Sequence, residues 1–311
     1  MSTSNPARRL PLDGIITVLN TPFDEHDRVD LDSLAKNVES AIDAGVVGFL
    51  VPAMASEVGK LSDDERLEMV RAVVRQNDGR TEVIGGASAP SVDQRLDHVR
   101  RLTDLGCDGI LVSLPWEGDA DAYRRSVKQV ADCRPPWLMI QDWDAGGYGV
   151  PVQLIADLFE RIPCFASLKI EVVPAGVKYS AVRDATGGQL HLAGGWAVSQ
   201  MIEGLDRGVN AFMPTGMHLI YCEIHRLYAC GQREAAIDLF HRVLPVLAFA
   251  NQHLDISIHF FKRLLWRQGL YPTARVREPI LPFNRIHASC ADVLIERVIA
   301  LQQEIAQRKR A

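Results

Sequence analysis

Glu82-Val-Ile-Gly-Gly-Ala-Ser-Ala-Pro-Ser-Val-Asp-Gln-Arg-Leu-Asp-His-Val-Arg-Arg-Leu-Thr-Asp-Leu-Gly-Cys-Asp-Gly-Ile-Leu-Val-Ser-Leu114 holds one complete strand–helix–strand unit. Its two ends, 82–87 and 109–114, are continuous apolar runs apart from Glu82 at the start and Ser113 near the close. Alternation of apolar and polar residues marks a strand with one wet face, whereas a continuous apolar run marks a parallel strand buried on both faces. Between them, 91–105 is apolar at helical spacing and stops at Gly106, a residue suited to the left-handed C-cap.

The same unit recurs along the chain. Further apolar runs are Gly14-Ile-Ile-Thr-Val-Leu-Asn20, Val47-Gly-Phe-Leu-Val-Pro-Ala53, Trp137-Leu-Met-Ile-Gln-Asp142, Ala166-Ser-Leu-Lys-Ile-Glu171, Leu190-His-Leu-Ala-Gly-Gly195 and Ala211-Phe-Met-Pro-Thr-Gly216. Amphipathic stretches separate them. One covers 31–44 before Gly45, and another opens on the capping box Ser62-Asp-Asp-Glu65 and runs through Val74. Eight strands alternating with helices predict a closed (β/α)8 TIM barrel. A doubly wound sheet is the runner-up, but no GxGxxG follows the first strand. From about Glu234 to Arg310 the pattern turns helical, interrupted at Pro272 and Pro279. The expected division is a barrel over 1–232 with a C-terminal helical extension over 233–311.

Composition fits a single large core. Of 311 residues, 47% are hydrophobic and the formal net charge is -5, with both signs mixed along the chain. No basic stripe offers itself to phosphates, which argues against a nucleic-acid partner. Six cysteines stand singly, without the paired spacing of a zinc site or a disulfide framework. Residues 1–9 lack the apolar core of a signal peptide, and no apolar run reaches spanning length. The expectation is a cytoplasmic protein with no membrane partner, no nucleic-acid partner and no metal. The histidines show no HExxH pattern, and His218 and His225 are expected on a helix after the eighth strand, in surface or packing roles.

In a barrel, residues at the C-terminal ends of strands face the active site. Lys169 lies in the otherwise mostly apolar sixth run, where a lysine is costly unless paired or neutral. A neutral amine attacks a ketone, and the resulting protonated imine draws electrons from the neighbouring carbon. The alternative is a structural lysine bridged to Glu171 or reaching to water.

Three segments carry a family resemblance. Thr17-Val-Leu-Asn-Thr-Pro-Phe23, then Gly45-Val-Val-Gly-Phe-Leu-Val-Pro-Ala-Met-Ala-Ser-Glu57 with Leu61-Ser-Asp-Asp-Glu-Arg66, and Ser167-Leu-Lys-Ile-Glu171 resemble the dihydrodipicolinate synthase and N-acetylneuraminate lyase superfamily. The resemblance runs from Gly14 to roughly Gln268. It implies a lyase that handles a small-molecule 2-keto acid through a Schiff base on Lys169, without a separate cofactor, in a homotetramer.

The departures from that family are as informative. Its Gly-Thr-Thr-Gly-Glu motif, whose threonines hold the keto-acid carboxylate, is here Ala53-Met-Ala-Ser-Glu57. Ser56 is left as a carboxylate ligand or a turn cap, and Glu57 as an organiser of the loop. The family's proton-relay tyrosine on the fifth strand falls on Asp142 when counted back from Gly149, or on Ile140 when counted forward from Pro136. Its arginine falls on Gly147. Side chains alternate along a strand, so Asp142 is expected inward near the rim. Gln141 then turns outward unless one residue is inserted. Pro115-Trp-Glu117 stands where the family has Pro-Tyr-Tyr, and Trp196 where some members have an acid. The catalytic candidates are Lys169, Glu171 and Asp142, with Glu171 taking over the proton work of the tyrosine. The substrate-binding candidates are Ser56, Gln141, Gly194 and Met213.

Within this reading two chemistries compete: aldol-type condensation or cleavage, and dehydration of a 2-keto-3-deoxy sugar acid such as 2-keto-3-deoxyarabonate. Loss of the tyrosine, arginine and threonines favours a sugar-acid reaction over 4-hydroxy-tetrahydrodipicolinate synthase activity. A barrel that only binds a metabolite, with no catalysis, is the hypothesis of another class.

Overall fold

The computed structural model describes Leu10 and residues 12–310. The leaderless N-terminal stretch expected at 1–9 lies outside the described residues. Eight parallel strands close in sequence order into a barrel: β1 (Gly14–Val18), β2 (Gly48–Val51), β3 (Glu82–Gly86), β4 (Gly109–Ser113), β5 (Leu138–Asp144), β6 (Phe165–Val172), β7 (His191–Gly194) and β8 (Ala211–Phe212). All eight coincide with the apolar runs of the sequence. The helices are α1 (Leu31–Ala44), α2 (Asp63–Asn77), α3 (Val92–Asp104), α4 (Ala120–Asp132), α5 (Val152–Arg161), α6 (Ala175–Ala185), α7 (Met201–Asp206), α8 (His218–Ala229), α9 (Arg233–His241), α10 (Leu244–Ala250), α11 (Leu254–Arg267) and α12 (Arg285–Arg310). The fold class is therefore a (β/α)8 barrel followed by further helices.

Local signals set the helix ends. Ser62 accepts a hydrogen bond from the Glu65 N–H while the Glu65 carboxylate accepts from the Ser62 N–H, which satisfies two free donors at the start of α2. Asp30 and Ser91 cap α1 and α3 one way only, accepting from the Ser33 and Gln94 N–H groups. Gly45 ends α1 at φ 96°, a conformation that carries a steric penalty for residues with a Cβ. Segment 268–284 is not helical, so Pro272 and Pro279 lie in one extended strap rather than at two helix breaks. None of the described helices is long and apolar enough to cross a membrane.

Two compact units emerge. One comprises Ile84–Phe212 with the described residues before Gly14; the other comprises Gly14–Val83 with Met213–Ala311. In the first, strands β4 to β7 are buried almost throughout, with Ile110, Val112, Leu138, Ile140, Leu168 and Ile170 closed to solvent. Each such side chain stabilises the fold by roughly 1.5–3 kcal/mol relative to exposure. In the second, Leu34, Val38 and Ala41 form the buried face of α1, and Phe260, Leu264 and Leu265 that of α11.

Candidate active site

Strand register settles which residues share a face. Partners in a parallel pair lie side by side, so Gln141, Lys169 and Ala193 form one row across β5, β6 and β7, and Trp143 stands beside Glu171. Ser167 and His191 form the row below. The opposite face, carrying Asp142, Ile170 and Gly194, looks toward α6: Asp142 pairs with Lys178 on that helix, and a Cβ built on Gly194 would lie 2.7 Å from the Tyr179 hydroxyl. Lys169 and Glu171 therefore point into the barrel.

The lysine and the carboxylate meet there. Lys169 Nζ lies 3.5 Å from Glu171 Oε2, and the two side chains are only 7% and 9% exposed. Glu171 is itself held. Gln141 Nε2 donates to the same Oε2, and the backbone N–H of Trp196 donates to Oε1 at 2.7 Å. The room comes from Gly195, where a Cβ would fall 1.9 Å from Glu171 Oε1 and 2.5 Å from Lys169 Cε. Beneath this row, Ser167 Oγ and His191 Nδ1 are 2.7 Å apart, and His191 Nε2 is 3.1 Å from the Leu12 carbonyl. A carbonyl only accepts, so Nε2 carries the hydrogen and Nδ1 accepts from the serine hydroxyl. Burial holds the His191 pKa below its ordinary value, in keeping with a neutral ring.

Three expectations are corrected by this geometry. Asp142 does not face the barrel interior. It forms a closed ion pair with Lys178 at 2.9 Å, with both side chains at most 1% exposed, and accepts from the Val150 N–H at 2.9 Å. Burial pushes the Asp142 carboxyl above the usual range, against the pull of Lys178 and the Val150 N–H. Lys178 also donates to the carbonyls of Tyr148 and Val150, each at 2.5 Å. The pair thus anchors the loop between β5 and α5. Gln141, expected outward, is the residue that the register brings beside Lys169. It lies midway between the two counts that gave Ile140 and Asp142, so one residue of the length difference falls on each side of it. Gly194 faces Tyr179; Gly195 is the glycine that borders Lys169.

The remaining candidates, Ser56 and Met213, belong to the other unit. Met213 is buried just after β8. Ser56 closes a short 3-10 turn: its hydroxyl donates to the Leu19 carbonyl at 2.5 Å and accepts from the Ala53 N–H at 2.9 Å. Of the two roles open to it, the turn cap is the one these hydrogen bonds describe. Glu57 sits at φ 58° and is buried against Lys262 at 2.6 Å, Lys60 at 3.1 Å and the Arg277 N–H at 2.9 Å. Lys262, fully enclosed, stacks over the Phe23 ring at 4.1 Å. Burial lowers its pKa to about 8 although Glu57 pulls the other way. His218 is likewise buried, between Thr17 and Asn37, a packing role.

Sequence reasoning missed Trp143, the Ser167–His191 pair and the Lys262–Glu57 pair. Trp143 was legible only through register, since nothing in the order of residues says whether position 141 or 142 turns inward. Lys262 had a signal: a lysine in the apolar stretch Ile256-Ser-Ile-His-Phe-Phe-Lys-Arg-Leu-Leu265.

The architecture is a closed parallel barrel with a lysine and a carboxylate paired on the inner face of its sixth strand. The chain belongs to the dihydrodipicolinate synthetase family, whose model matches residues 11–297, and it is a lyase. It is similar to the 4-hydroxy-tetrahydrodipicolinate synthase of Xanthomonas campestris, at 28% identity over 306 residues, covering 94% of this chain and 97% of that one. An uncharacterized DapA-like lyase of Halobacterium salinarum is 34% identical over 130 residues, covering 40% of this chain and 42% of that one. The fold is shared with the dihydrodipicolinate synthase of Rhodopseudomonas palustris, at a TM-score of 0.84 and 20% identity, over 92% of this chain and 97% of that one.

Proposed function

We propose that this lyase acts on a 2-keto acid through an imine on Lys169, with Glu171 as its acid–base group and no separate cofactor. The observation that carries the proposal is the inward Lys169 amine 3.5 Å from the Glu171 carboxylate. The amine adds to the ketone carbon, and water leaves to give the protonated imine. Glu171 takes a proton from the adjacent carbon, C3, and an enamine forms. In a dehydration, hydroxide then departs from C4 and takes up that proton as water. Hydrolysis of the imine releases the product and returns the lysine. In the aldol-type alternative, the enamine adds through C3 to an aldehyde carbon. In cleavage, the imine takes up the C3–C4 electron pair to become the enamine, while Glu171 takes the C4 hydroxyl proton and C4 leaves as an aldehyde.

The substrate class favoured is a 2-keto-3-deoxy sugar acid, 2-keto-3-deoxyarabonate being one example. Gln141 stands in the row of Lys169, the family's arginine position is Gly147, and the Ser56 hydroxyl is already bonded within its turn. These features leave the aspartate semialdehyde reaction without its usual partners. Similarity to the 4-hydroxy-tetrahydrodipicolinate synthase of Xanthomonas campestris supports the second reading, condensation of pyruvate with aspartate semialdehyde. Homotetramer assembly and a cytoplasmic setting are proposed on the resemblance and on composition.

The two readings separate in parallel assays. Consumption of a 2-keto-3-deoxy sugar acid by the wild type and not by Lys169→Ala supports the first. Condensation of pyruvate with aspartate semialdehyde at an ordinary enzymatic rate, roughly 1–1000 per second, overturns it. Retention of either activity in Lys169→Ala removes the lysine mechanism. Absence of turnover with every keto acid leaves the purely metabolite-binding barrel.

A further inference from the structure

Two tryptophans border the candidate site, and the chemistry above uses neither side chain. Trp143 is the register partner of Glu171. It therefore shares the inner face, one layer toward the rim from Lys169, yet it is 53% exposed. Trp196, whose N–H holds Glu171, is 42% exposed. A large ring exposed beside a buried polar pair offers an apolar face to a molecule that reaches that pair. From the Lys169 row outward, the inner faces of β5, β6 and β7 carry Gln141, Ala193, Trp143 and Glu171. Lys169 is the only cation in that set, and Glu171 is an acid.

Position decides what meets the ring. Trp143 lies in the layer of Glu171, one strand spacing of about 4.8 Å away, and Glu171 Oε2 is itself 3.5 Å from Lys169 Nζ. With C2 on Lys169 and C3 and C4 passing Glu171, atoms beyond C4 reach the layer of Trp143. A carboxylate there would face Glu171, while the one cation among these inner-face residues of β5, β6 and β7, Lys169, is bonded to C2. An uncharged tail would lay a C–H or aromatic face on the indole.

We infer that Trp143 selects 2-keto acids with an uncharged tail beyond C4 and discriminates against a second carboxylate. This rests on the Lys169 imine proposed above and adds the character of the tail. The shared chemistry is a neutral, flat face, which a polyol chain or an aromatic ring supplies.

Borohydride trapping as a function of ketone concentration tests this, with four probes that share the 2-keto acid head. Pyruvate has no tail, a 2-keto-3-deoxyhexonate has a polyol tail, 4-phenyl-2-oxobutanoate has an aromatic tail, and 2-oxoadipate has a charged tail. In the wild type, at least one uncharged tail is expected to lower the half-trapping concentration about 10-fold relative to pyruvate, with 2-oxoadipate no better than pyruvate. Whichever tail gains more identifies the source of the neutral face. Trp143→Ala should erase most of that tail-to-pyruvate ratio, and Trp143→Phe should keep most of it. Trapping of 2-oxoadipate as tight as that of the uncharged tails overturns the inference without any variant. So does a tail-to-pyruvate ratio unchanged in Trp143→Ala. Failure of all four ketones, pyruvate included, to label Lys169 removes the imine itself and this inference with it, whereas pyruvate labelling without tail preference removes the inference alone.

Discussion

At the residue scale, the strongest statement concerns two side chains two positions apart. Lys169 was legible in the sequence because a lone lysine interrupts an apolar run, and Glu171 because i and i+2 share a strand face. Asp142 was misplaced because counting from a distant landmark cannot resolve one residue, and one residue reverses the face. The consequence for Asp142 is testable. Asp142→Asn removes the charge opposite Lys178 inside a closed pair, and breaking such a pair costs about 3–5 kcal/mol. Chemical denaturation should show a loss of that order, with the fall in activity following the loss of folded protein. Glu171→Gln should act in the opposite sense. Loss of a general acid–base group slows turnover by about 100- to 10000-fold, while the melting temperature changes little. Near-normal turnover in Glu171→Gln would assign the carboxylate a structural role and move the proton work elsewhere.

At the element scale, the ends of β5, β6 and β7 build the candidate site, and their pleat is set by backbone pairing rather than by composition. The strands themselves were readable as continuous apolar runs. Their register was not, because β6 departs from regular pairing between Leu138 and Met139 of its neighbour. Gly195 makes the dependence on close approach measurable. A methyl group there would overlap Glu171 Oε1 and Lys169 Cε. Gly195→Ala must therefore displace the pair. A misplacement of about 1 Å at a reacting group costs about 100-fold in rate, so turnover should fall at least that far. Gly194→Ala tests the other face, where the Cβ would meet Tyr179 and Phe212, and its effect should read out chiefly as lost stability. The reverse ranking of the two variants in activity would show that the faces are wrongly assigned.

At the scale of the whole molecule, the barrel followed from eight repeats of one pattern, each resting on the same physical cause. The C-terminal region was less legible: the strap over 268–284 has no periodicity, and its order comes from partners distant in sequence. Arg277 alone bonds to Glu57, Lys60, Glu65 and Asp27, and Lys262 lies beneath with its lowered pKa. That shift has a stability consequence. Unfolded, Lys262 titrates near 10.5; folded, at about 8. Between these values the unfolded chain holds a proton that the folded chain lacks, so this group makes stability rise with pH from about 8 to 10.5, and the gain is lost as pH falls through 8. Denaturation curves of wild type and Lys262→Met should diverge with pH in that window and run parallel below it. Parallel curves throughout would show that Lys262 titrates normally.

The most direct measurement for the central claim is the mass of one peptide. The wild-type protein incubated with pyruvate or a 2-keto-3-deoxy sugar acid and reduced with borohydride should gain the reduced ligand mass on the peptide that contains Lys169, and Lys169→Ala should gain none. Lys178, with its amine bonded to Asp142 and two carbonyls, should stay unlabelled. No adduct from a ketone the enzyme demonstrably turns over, or an adduct on Lys178 or Lys262 instead, would contradict the account.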